Sequence, residues 1–345
     1  MKSELKFKKV NVSQIAASLK QAQDVHHNGD NLQSKFSLNF IFPCQSLAAK
    51  AVFEEVFTVL NASHPARYFL IELDDELTDI EASIAVYTTN LSEGLLNTSE
   101  IVCLKTPVSM QNAIPSIIRS QRIPGIPTEL ILADANLKQN SLSTYLPLVE
   151  KIIFDSRLIN PNTDFFNGLL LQNLNLVDLR WAALSPWREQ LREAFDRPVL
   201  MSKLSELYSI KILAKENKSC HLKASYLLAG WLMHSMGCTL SSLGSNGFEC
   251  EFEDGRKIVL LFSSVDNQNY AEISMLEFCF NSQNTNLVLN LSYQNSYLQT
   301  TIKLEDPLKV SRALAKEDAF ALALKRIFSI GESMENYKEA LKGAL

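Results

Sequence analysis

The chain has 345 residues, 46% of them hydrophobic, and a formal net charge of −5 at pH 7. This length predicts about two domains, and the apolar content is sufficient for their cores, which excludes a disordered chain. Acidic and basic residues are interspersed, so there is no basic stripe of the kind that binds nucleic acid or an anionic membrane surface.

The N-terminus and the cysteines both indicate a cytoplasmic protein. The first residues, MKSELKFKKVNVSQ, are charged and include no apolar segment typical of a secretory signal. The longest apolar stretch, from Tyr226 to Met233, is far shorter than the roughly twenty residues that a membrane-spanning helix needs. The cysteines show no CxxC spacing, so we expect buried thiols in a reducing compartment; control by thiol oxidation is the alternative. They are Cys44, Cys103, Cys220, Cys238, Cys250 and Cys279.

Three segments are predicted from the distribution of apolar residues. Residues 1–35 begin with a helical piece and end in the polar stretch HHNGDNLQS, which is typical of a mobile connection. Residues 36–172 alternate short apolar runs with helical segments, and runs such as TELILADA are typical of strands covered on both faces. This second segment is therefore predicted to be an α/β sandwich with a mixed sheet.

Residues 173–345 have a different pattern and are predicted to form an α+β domain. Its clearest local feature is FECEFEDGRKIVLLF, where apolar and polar residues alternate around Asp254-Gly255, a pair that favours a hairpin turn. Further alternating runs follow it along the chain. Because each strand offers one apolar side, we expect an antiparallel meander sheet with helices packed on one face.

The segment DLRWAALSPWREQLREAFD, from Asp178 to Asp196, opens this domain and predicts two short helices. Ser185 is expected to cap the second helix, and Pro186 to occupy its first position. An apolar stripe at helical spacing is predicted to face the core, while charged residues take the remaining arc. The stripe consists of Trp187, Leu191, Ala194 and Phe195, and the arc of Arg188, Glu189, Arg192 and Glu193.

Two roles are compatible with the tryptophans of this segment. Trp181 and Trp187 can be core anchors of a joint between domains, because large aromatic side chains dominate core energetics. Alternatively, together with Arg180 and Arg188 they can form a protein-binding patch, since Trp and Arg are enriched in interface hot spots. Trp231, in LLAGWLMHSMG, is more simply explained as a core residue. The sequence leaves the choice between joint and interface open.

Motifs for catalysis and nucleotide binding are missing from the sequence, which has no GxGxxG, GxxxxGK[ST], HExxH or GxSxG. We therefore predict no catalytic residue, no metal site and no cofactor. Two weaker candidates remain at the ends of predicted strands. His64 and Arg67 lie at the start of one strand, and Asp155 and Ser156 follow another. Each pair can contact an anion or a protein partner, or serve only its own loop.

Four segments occur in the order and approximate spacing of a known family. They are SHPARYFLIEL at 63–73, IIFDS at 152–156, DLRWAALSPWREQLREAFD at 178–196 and LLAGWLMHSMG at 227–237. With these motifs the chain resembles the glucose-6-phosphate dehydrogenase assembly protein family, OpcA. It departs from the family pattern at Leu130 and Ile131, where aromatic residues are usual, and at Ala183, where an arginine is usual.

The resemblance implies a non-catalytic assembly factor or allosteric activator that binds glucose-6-phosphate dehydrogenase and supports the oxidative pentose phosphate pathway. The helix pattern contributes Arg180 and Arg192 as candidates for partner binding or the domain joint. The resemblance carries over His64, Arg67, Asp155, Ser156, Asp178, Trp181, Trp187, Arg188, Glu189 and Trp231. The alternative function is a sugar-phosphate sensor or an unrecognised enzyme that uses the region of His64, Arg67 and Asp155.

Overall fold

The structure is a computed structural model that describes residues 6–26, 36–61, 63–92, 95–137, 142–159, 168–169, 174–215, 224–244, 247–264, 272–280, 287–294, 297–303, 307–314, 320–330, 337 and 340. The chain divides into two compact units. The first comprises Met1–Ile159, Thr163–Leu179 and Phe320–Ile330, and the second comprises Asn160–Asn162, Arg180–Ala319 and Gly331–Leu345. Residues 27–35, at the end of the predicted N-terminal segment, lie outside the described residues.

The strands of the first unit are β1 Lys8–Val10, β2 Leu38–Cys44, β3 Ala66–Leu73, β4 Glu81–Ser92, β5 Leu95–Thr106, β6 Thr128–Leu132, β7 Lys151–Phe154 and β8 Asn175–Asp178. They form one sheet in the order β1-β4-β5-β3-β2-β6-β7-β8. Strand β4 is antiparallel to β1 and β5, and the strands from β5 to β8 in this order are parallel. The predicted mixed sheet is confirmed.

The helices are α1 Ile15–His26, α2 Leu47–Leu60, α3 Ile114–Gln121, α4 Leu179–Ala183, α5 Ser185–Phe195, α6 Pro198–Met201, α7 Ala224–Met236 and α8 Phe320–Ile330. Among these, α1 to α3 and α8 belong to the first unit, where α8 packs on α2. Helix α2 begins where the Ser46 side chain accepts a hydrogen bond from the Ala49 N–H at 3.1 Å. None of the helices among the described residues is long and apolar enough to cross a membrane.

The core of the first unit lies against the middle of its sheet. All seven residues of β2 are buried, as expected for a strand whose two faces are both covered. On one face, the Phe40 ring stacks on the Tyr68 ring with 5.2 Å between centroids. Phe53 and Phe57, one turn apart on α2, meet the Tyr68 ring edge to face. Aromatic packing thus fixes α2 beside the parallel strands.

The strands of the second unit are β9 Leu207–Ala214, β10 Cys238–Gly244, β11 Gly247–Phe252, β12 Lys257–Ser264, β13 Ile273–Phe280, β14 Leu287–Gln294, β15 Tyr297–Lys303 and β16 Pro307–Leu314. They form a second sheet in the order β10-β11-β12-β9-β13-β14-β15-β16. With α5 and α7 packed against it, the predicted α+β class is confirmed. The predicted hairpin is also present, and Gly255 has a φ of 80° in its loop.

The prediction that this second sheet is entirely antiparallel is wrong at one place. Strands β9 and β12 are paired in parallel, with Val259 beside Ser209 and Leu261 beside Lys211. Helix α7 returns the chain after β9, so that β10 starts again in the direction of β9. Two hairpins then bring β12 to the same direction beside β9. A local strand pattern cannot reveal this crossover.

The two faces of the second sheet differ in exposure. The face toward the helices is buried, including Ile210, Ile258 and Leu276, and it receives Phe195 of α5 on Phe278 with 5.4 Å between ring centroids. Side chains of the opposite parity, such as Lys211 and Val259, are exposed. The sheet thus has one buried apolar face and one face that is exposed to solvent and carries both polar and apolar side chains.

Candidate functional site

The tryptophan segment forms α4 and α5, as predicted, with a small shift at their junction. Helix α5 begins at Ser185, Leu184 takes the N-cap position without a side-chain hydrogen bond, and Pro186 lies within the first two helical positions. The expectation that Ser185 is the cap is therefore wrong by one residue. Proline is tolerated at this position because the first N–H groups of a helix need no intrahelical acceptor.

The tryptophans are core residues of the second unit. The Trp181 side chain is 1% exposed, and its ring lies 5.9 Å from the Tyr337 ring. Trp187 and Leu191 are buried on the predicted apolar stripe of α5. Trp231 on α7 is also buried. Their burial supports an architectural role for these three tryptophans.

Arg188 is buried, which corrects its predicted place on an accessible arc. Its guanidinium carbon lies 3.7 Å from the centroid of the Trp181 ring, and its Nη1 donates to the Trp181 carbonyl oxygen at 2.6 Å. Only 5% of the residue is exposed. The turn between α4 and α5 brings position 188 back over position 181, so the cation stacks on an indole face and bonds the same residue's backbone. Arg188 connects the two helices internally.

Arg180 is likewise engaged within the second unit. Its Nε donates to Glu272 Oε2 at 2.9 Å, and its Nη2 donates to Glu272 Oε1 at 2.8 Å. This two-point pairing with a carboxylate has the geometry that suits a guanidinium best. Glu272 directly precedes β13, so the pair fixes α4 to the sheet. Sequence reasoning missed Glu272, because it lies 92 positions from Arg180 and carries no local signal.

The accessible part of α5 is a charged strip, the exposed arc, formed by Glu189, Arg192, Glu193 and Asp196. The Arg192 guanidinium lies 5.9 Å from the centroid of the buried Trp231 ring, so its stem covers that side chain while its charge stays in solvent. Gln190, on the same helix, is instead buried and accepts a hydrogen bond from the Thr300 hydroxyl at 3.0 Å. Glu189 and Arg192 are the candidates from this segment that remain available to a partner.

His64 and Arg67 lie at the amino ends of the parallel strands of the first unit. The Arg67 Nε donates to Glu100 Oε2 at 2.6 Å, and its Nη1 donates to the Gln121 carbonyl oxygen. The His64 Nδ1 lies 2.9 Å from the Ser63 hydroxyl. Burial lowers the pKa of His64, and the nearby Lys325 lowers it further. The arginine thus serves an internal ion pair.

Asp155, Ser156 and Asp178 lie at the carboxyl ends of β7 and β8. The Asp155 carboxylate accepts bonds from the Arg157 backbone N–H and from its Nε, both at 2.9 Å. The Ser156 N–H donates to Asp178 Oδ1 at 3.1 Å, which joins the ends of the two strands. All three candidates are buried. The structure therefore brings Ser156 and Asp178 together through this one hydrogen bond at the ends of the two strands.

The two groups of candidates in the first unit are at opposite ends of its sheet. Arg67 on β3 and Thr128 on β6 are both paired with the same residue of β2, so they lie at the same height in the sheet. Lys151 on β7 is paired with the residue after Thr128 and therefore lies one residue closer to the carboxyl ends of the strands. Asp155 therefore lies about five residues, or roughly 16 Å, beyond the level of Arg67 along the strand direction. The alternative site that combined His64, Arg67 and Asp155 does not assemble, because the strands that carry these residues are parallel.

The point where the strand order reverses, between β2 and β6, is the usual ligand position in a parallel α/β sheet. Here the Asp134 carboxylate occupies it. Its Oδ2 accepts hydrogen bonds from the N–H groups of Gln45 and Ser46, at 2.6 and 2.8 Å, and its Oδ1 accepts one from Asn136. These N–H groups open α2, where a phosphate would otherwise bind. A buried carboxylate already satisfies them and disfavours an added anion.

Acidic side chains buried in the first unit predict a pH dependence of its stability. Burial raises the pKa of Glu100 above the ordinary value of 4.5, although Arg67 acts in the opposite direction. Burial likewise raises the pKa of Glu129, against the effect of Lys151. Because the folded state then holds protons more tightly than the unfolded state, this contribution to stability is lost as pH rises from 4.5 through the folded pKa.

We expect the Glu100→Gln and Glu129→Gln variants to show a flatter decline of the free energy of unfolding over that pH window. The measurement is hydrogen exchange of the amide groups in the first unit's parallel strands, followed by mass spectrometry at a series of pH values, which reports the free energy of opening of that unit. Glu54→Gln, an exposed substitution on α2, is the control and should leave the pH profile unchanged. Parallel pH profiles for all four proteins would contradict the assignment.

Cysteines and possible metal ligands add no further site within the part of the chain that is described. Five cysteines are buried free thiols, and Cys220 lies outside the described residues. Burial raises the pKa of Cys44 and of Cys103 to about 12, which opposes thiolate chemistry. Over the described ranges, no group of three or more His, Cys, Asp or Glu side chains could hold a metal ion. The buried thiols are Cys44, Cys103, Cys238, Cys250 and Cys279.

The fold and these contacts define a two-unit protein with an α/β unit, an α+β unit and candidate residues that are largely engaged within the fold. Residues 174–316 match the family described as the C-terminal domain of the glucose-6-phosphate dehydrogenase subunit. A 125-residue stretch is 32% identical to a protein of Synechocystis sp. (strain ATCC 27184 / PCC 6803 / Kazusa) that carries the provisional description OxPP cycle protein OpcA. With these two partial matches, the chain is similar to the OpcA family, the family that its motifs resemble.

The matches have limited extent. The identity to the Synechocystis protein covers 32% of this chain and 26% of that protein, so the chain spans about a quarter of the curated relative that it matches. Among solved structures, a provisionally assigned oxidoreductase from Thermotoga maritima aligns over 90% of this chain and 96% of its own, with 9% identity and a TM-score of 0.43. Another from Erwinia carotovora atroseptica SCRI1043 covers 90% and 97%, with 8% identity and a TM-score of 0.42.

Proposed function

We propose that the chain is a non-catalytic assembly factor and allosteric activator that binds glucose-6-phosphate dehydrogenase in the cytoplasm and supports the oxidative pentose phosphate pathway. The observation that carries this proposal is the match of residues 174–316 to the dehydrogenase-related family. That segment runs from β8 to β16 and includes the tryptophan helices and the second sheet.

The chemistry of the first unit supports a binding role over a catalytic one. The carboxyl edge of its parallel strands is where α/β enzymes usually place reacting groups. In this chain, Asp134 at that edge accepts hydrogen bonds from the Gln45 and Ser46 N–H groups before α2, and Asp155 accepts one from the Arg157 N–H of its own loop. Arg67, at the other edge, is paired with Glu100. These groups are committed to internal contacts, which favours a protein that acts through its surface.

The exposed arc of α5 is the partner contact that we propose within the matched segment. Its four side chains carry three negative charges and one positive charge, and they lie on a helix whose other face is held in the core. A rigid, net acidic surface favours a basic surface on the partner and speeds association at low salt. Activation requires in addition that the chain binds the active state of the dehydrogenase more tightly than the inactive state.

The proposal predicts a complex with the cognate dehydrogenase, detected by native mass spectrometry, together with a rise in its activity. In the Glu189→Lys variant, we expect binding to weaken by about three- to tenfold and to become less sensitive to salt, as is typical of charges at the edge of an interface. Glu54→Lys, on the exposed side of α2, is the control with the same charge change and should bind normally.

Each component of the proposal has its own contrary outcome. Absence of both a complex and a kinetic effect at micromolar concentration would refute binding to the dehydrogenase. A complex without any change in activity would leave assembly but exclude activation. Equal binding by the wild-type and Glu189→Lys proteins would place the contact away from the exposed arc.

A further inference from the structure

The exposed face of the second sheet, which we name the open face, consists of the side chains that point away from α5 and α7. Its centre is an ion pair between neighbouring strands, in which Lys211 Nζ lies 2.9 Å from Glu277 Oε1. Leu213, Leu261 and Met275 adjoin this pair together with the polar Ser209 and Asn290, and the nearby Val259 is 38% exposed. A surface that combines paired charges with exposed apolar side chains is suited to a protein interface. The pattern concerns the second unit alone and does not depend on the proposed function.

The register of the strands arranges the open face in rows that cross the sheet. In one row, Glu249 of β11 lies beside Val259 of β12, and Val288 of β14 lies beside Lys303 of β15, with the buried Ser209 and Cys279 between these two pairs. In the next row, Lys211 of β9 lies beside Glu277 of β13. The first row thus carries an acidic and a basic residue at equal distances from the boundary between β9 and β13.

A second copy can be placed with its open face on that of the first by a two-fold axis that runs parallel to the strands, above the boundary between β9 and β13. Each row would then lie opposite the same row of the second copy, running in the reverse direction. Strand β11 of one copy would then face β15 of the other, and β12 would face β14. Glu249 would meet Lys303, and Val259 would meet Val288. In the central row, Lys211 would meet Glu277 of the second copy, and no like charges would be opposed in these rows.

The third row continues the same complementarity. Leu213 of β9 lies beside Met275 of β13, and the flanking residues are Ser263 of β12 and Ser292 of β14. Under the same axis, Leu213 would face Met275, and the two serines would face each other. The centre of the contact would thus combine apolar pairs with two symmetric ion pairs, as in an interface whose apolar core also contains matched charges.

The size of the open face is sufficient for a stable contact. Eight strands at about 4.8 Å spacing span roughly 34 Å, and seven residues at about 3.4 Å extend roughly 24 Å. Their product is about 800 Å², which equals the area that each partner contributes to an interface of standard size. We propose that the open face binds a second copy of this chain and forms a symmetric homodimer, sheet against sheet.

The test measures the mass of the full chain in solution by analytical ultracentrifugation. We expect the wild-type protein to sediment at about twice its 38.7 kDa at micromolar concentration. The Lys211→Glu variant and the Glu277→Lys variant, each alone, should sediment as monomers, because like charges would then meet twice across the axis. A mixture of the two variants should recover the dimer, because each carboxylate of one chain then faces a lysine of the other.

Recovery on mixing separates a contact between chains from a contact within one chain, because the ion pair inside each variant chain stays broken. Loss of that exposed pair should leave the fold intact, which circular dichroism verifies. Lys9→Glu, which breaks the exposed ion pair with Glu81 in the first sheet, is the control and should remain dimeric. A monomeric wild type, dimeric single variants or a mixture that stays monomeric would each overturn the proposal. A monomeric wild type whose variants lose the dehydrogenase complex would assign the open face to that partner instead.

Discussion

Replacement of Arg188 by methionine is expected to lower the free energy of unfolding of the second unit by about 2–4 kcal/mol. The substitution removes a desolvated cation stacked at 3.7 Å on the Trp181 ring, worth about 2 kcal/mol, and a charge-assisted bond to a carbonyl oxygen, worth about 1.5–3 kcal/mol. Methionine fills much of the volume, so the loss reports these polar contacts more than a cavity.

Urea unfolding followed by tryptophan fluorescence measures this effect in the appropriate unit, since the three tryptophans Trp181, Trp187 and Trp231 all lie in the second unit. Arg192→Met, one turn further along the same helix but exposed, is the matched control and should cost less than about 0.5 kcal/mol. Equal midpoints for both variants would show that Arg188 is not an internal connection. Arg188→Lys should recover only part of the stability, because an ammonium group does not stack as a planar guanidinium does.

Replacement of Asp134 by alanine is expected to lower the stability of the start of α2 by about 3 kcal/mol, because a carboxylate that accepts three backbone hydrogen bonds is removed. The N–H groups of Gln45 and Ser46 would lose the buried carboxylate that accepts their hydrogen bonds. Asp134→Asn keeps one oxygen acceptor and should have an intermediate effect. Hydrogen exchange followed by mass spectrometry reports the change as faster exchange in the first turn of α2.

Asp75→Ala is the control at the same edge of the sheet. Its carboxylate is exposed and lies 3.4 Å from the Val108 nitrogen, so its loss should change exchange rates little. Unchanged exchange at Gln45 and Ser46 in Asp134→Ala would mean that water replaces the carboxylate without cost. In that case, the start of α2 would be open to an anion. Added phosphate should then slow the hydrogen exchange of the first turn of α2 in the Asp134→Ala variant.

The buried arginines change the interpretation of the tryptophan segment. Arg180 and Arg188 are the residues that a hot-spot argument would select first, yet both are used inside the second unit. If the chain binds a partner as we propose, a mutation of either arginine is expected to reduce binding through loss of structure. The exposed Glu189 and Arg192 are the informative positions for binding experiments. Stability measurements on the same variants are needed to separate the two effects.

Patterns of short range were predictive because they depend on local geometry. The stripe of Trp187 and Leu191 follows from the helical repeat, and the alternation around Gly255 follows from the two-residue repeat of a strand. The mixed first sheet followed from apolar runs typical of strands covered on both faces. Two of the four family motifs, at 178–196 and 227–237, lie within the match over residues 174–316.

The sequence by itself determined the α/β and α+β classes, the buried tryptophan stripe and the resemblance to a family, because each depends on residue types at fixed spacings. Only the tertiary structure decided that Arg188 folds back on Trp181, that Arg180 meets Glu272, and that His64 and Asp155 lie at opposite sheet ends. These outcomes depend on strand direction and on contacts between distant positions. Local propensity does not encode them, because the same strand pattern fits a parallel or an antiparallel neighbour, as β9 and β12 demonstrate.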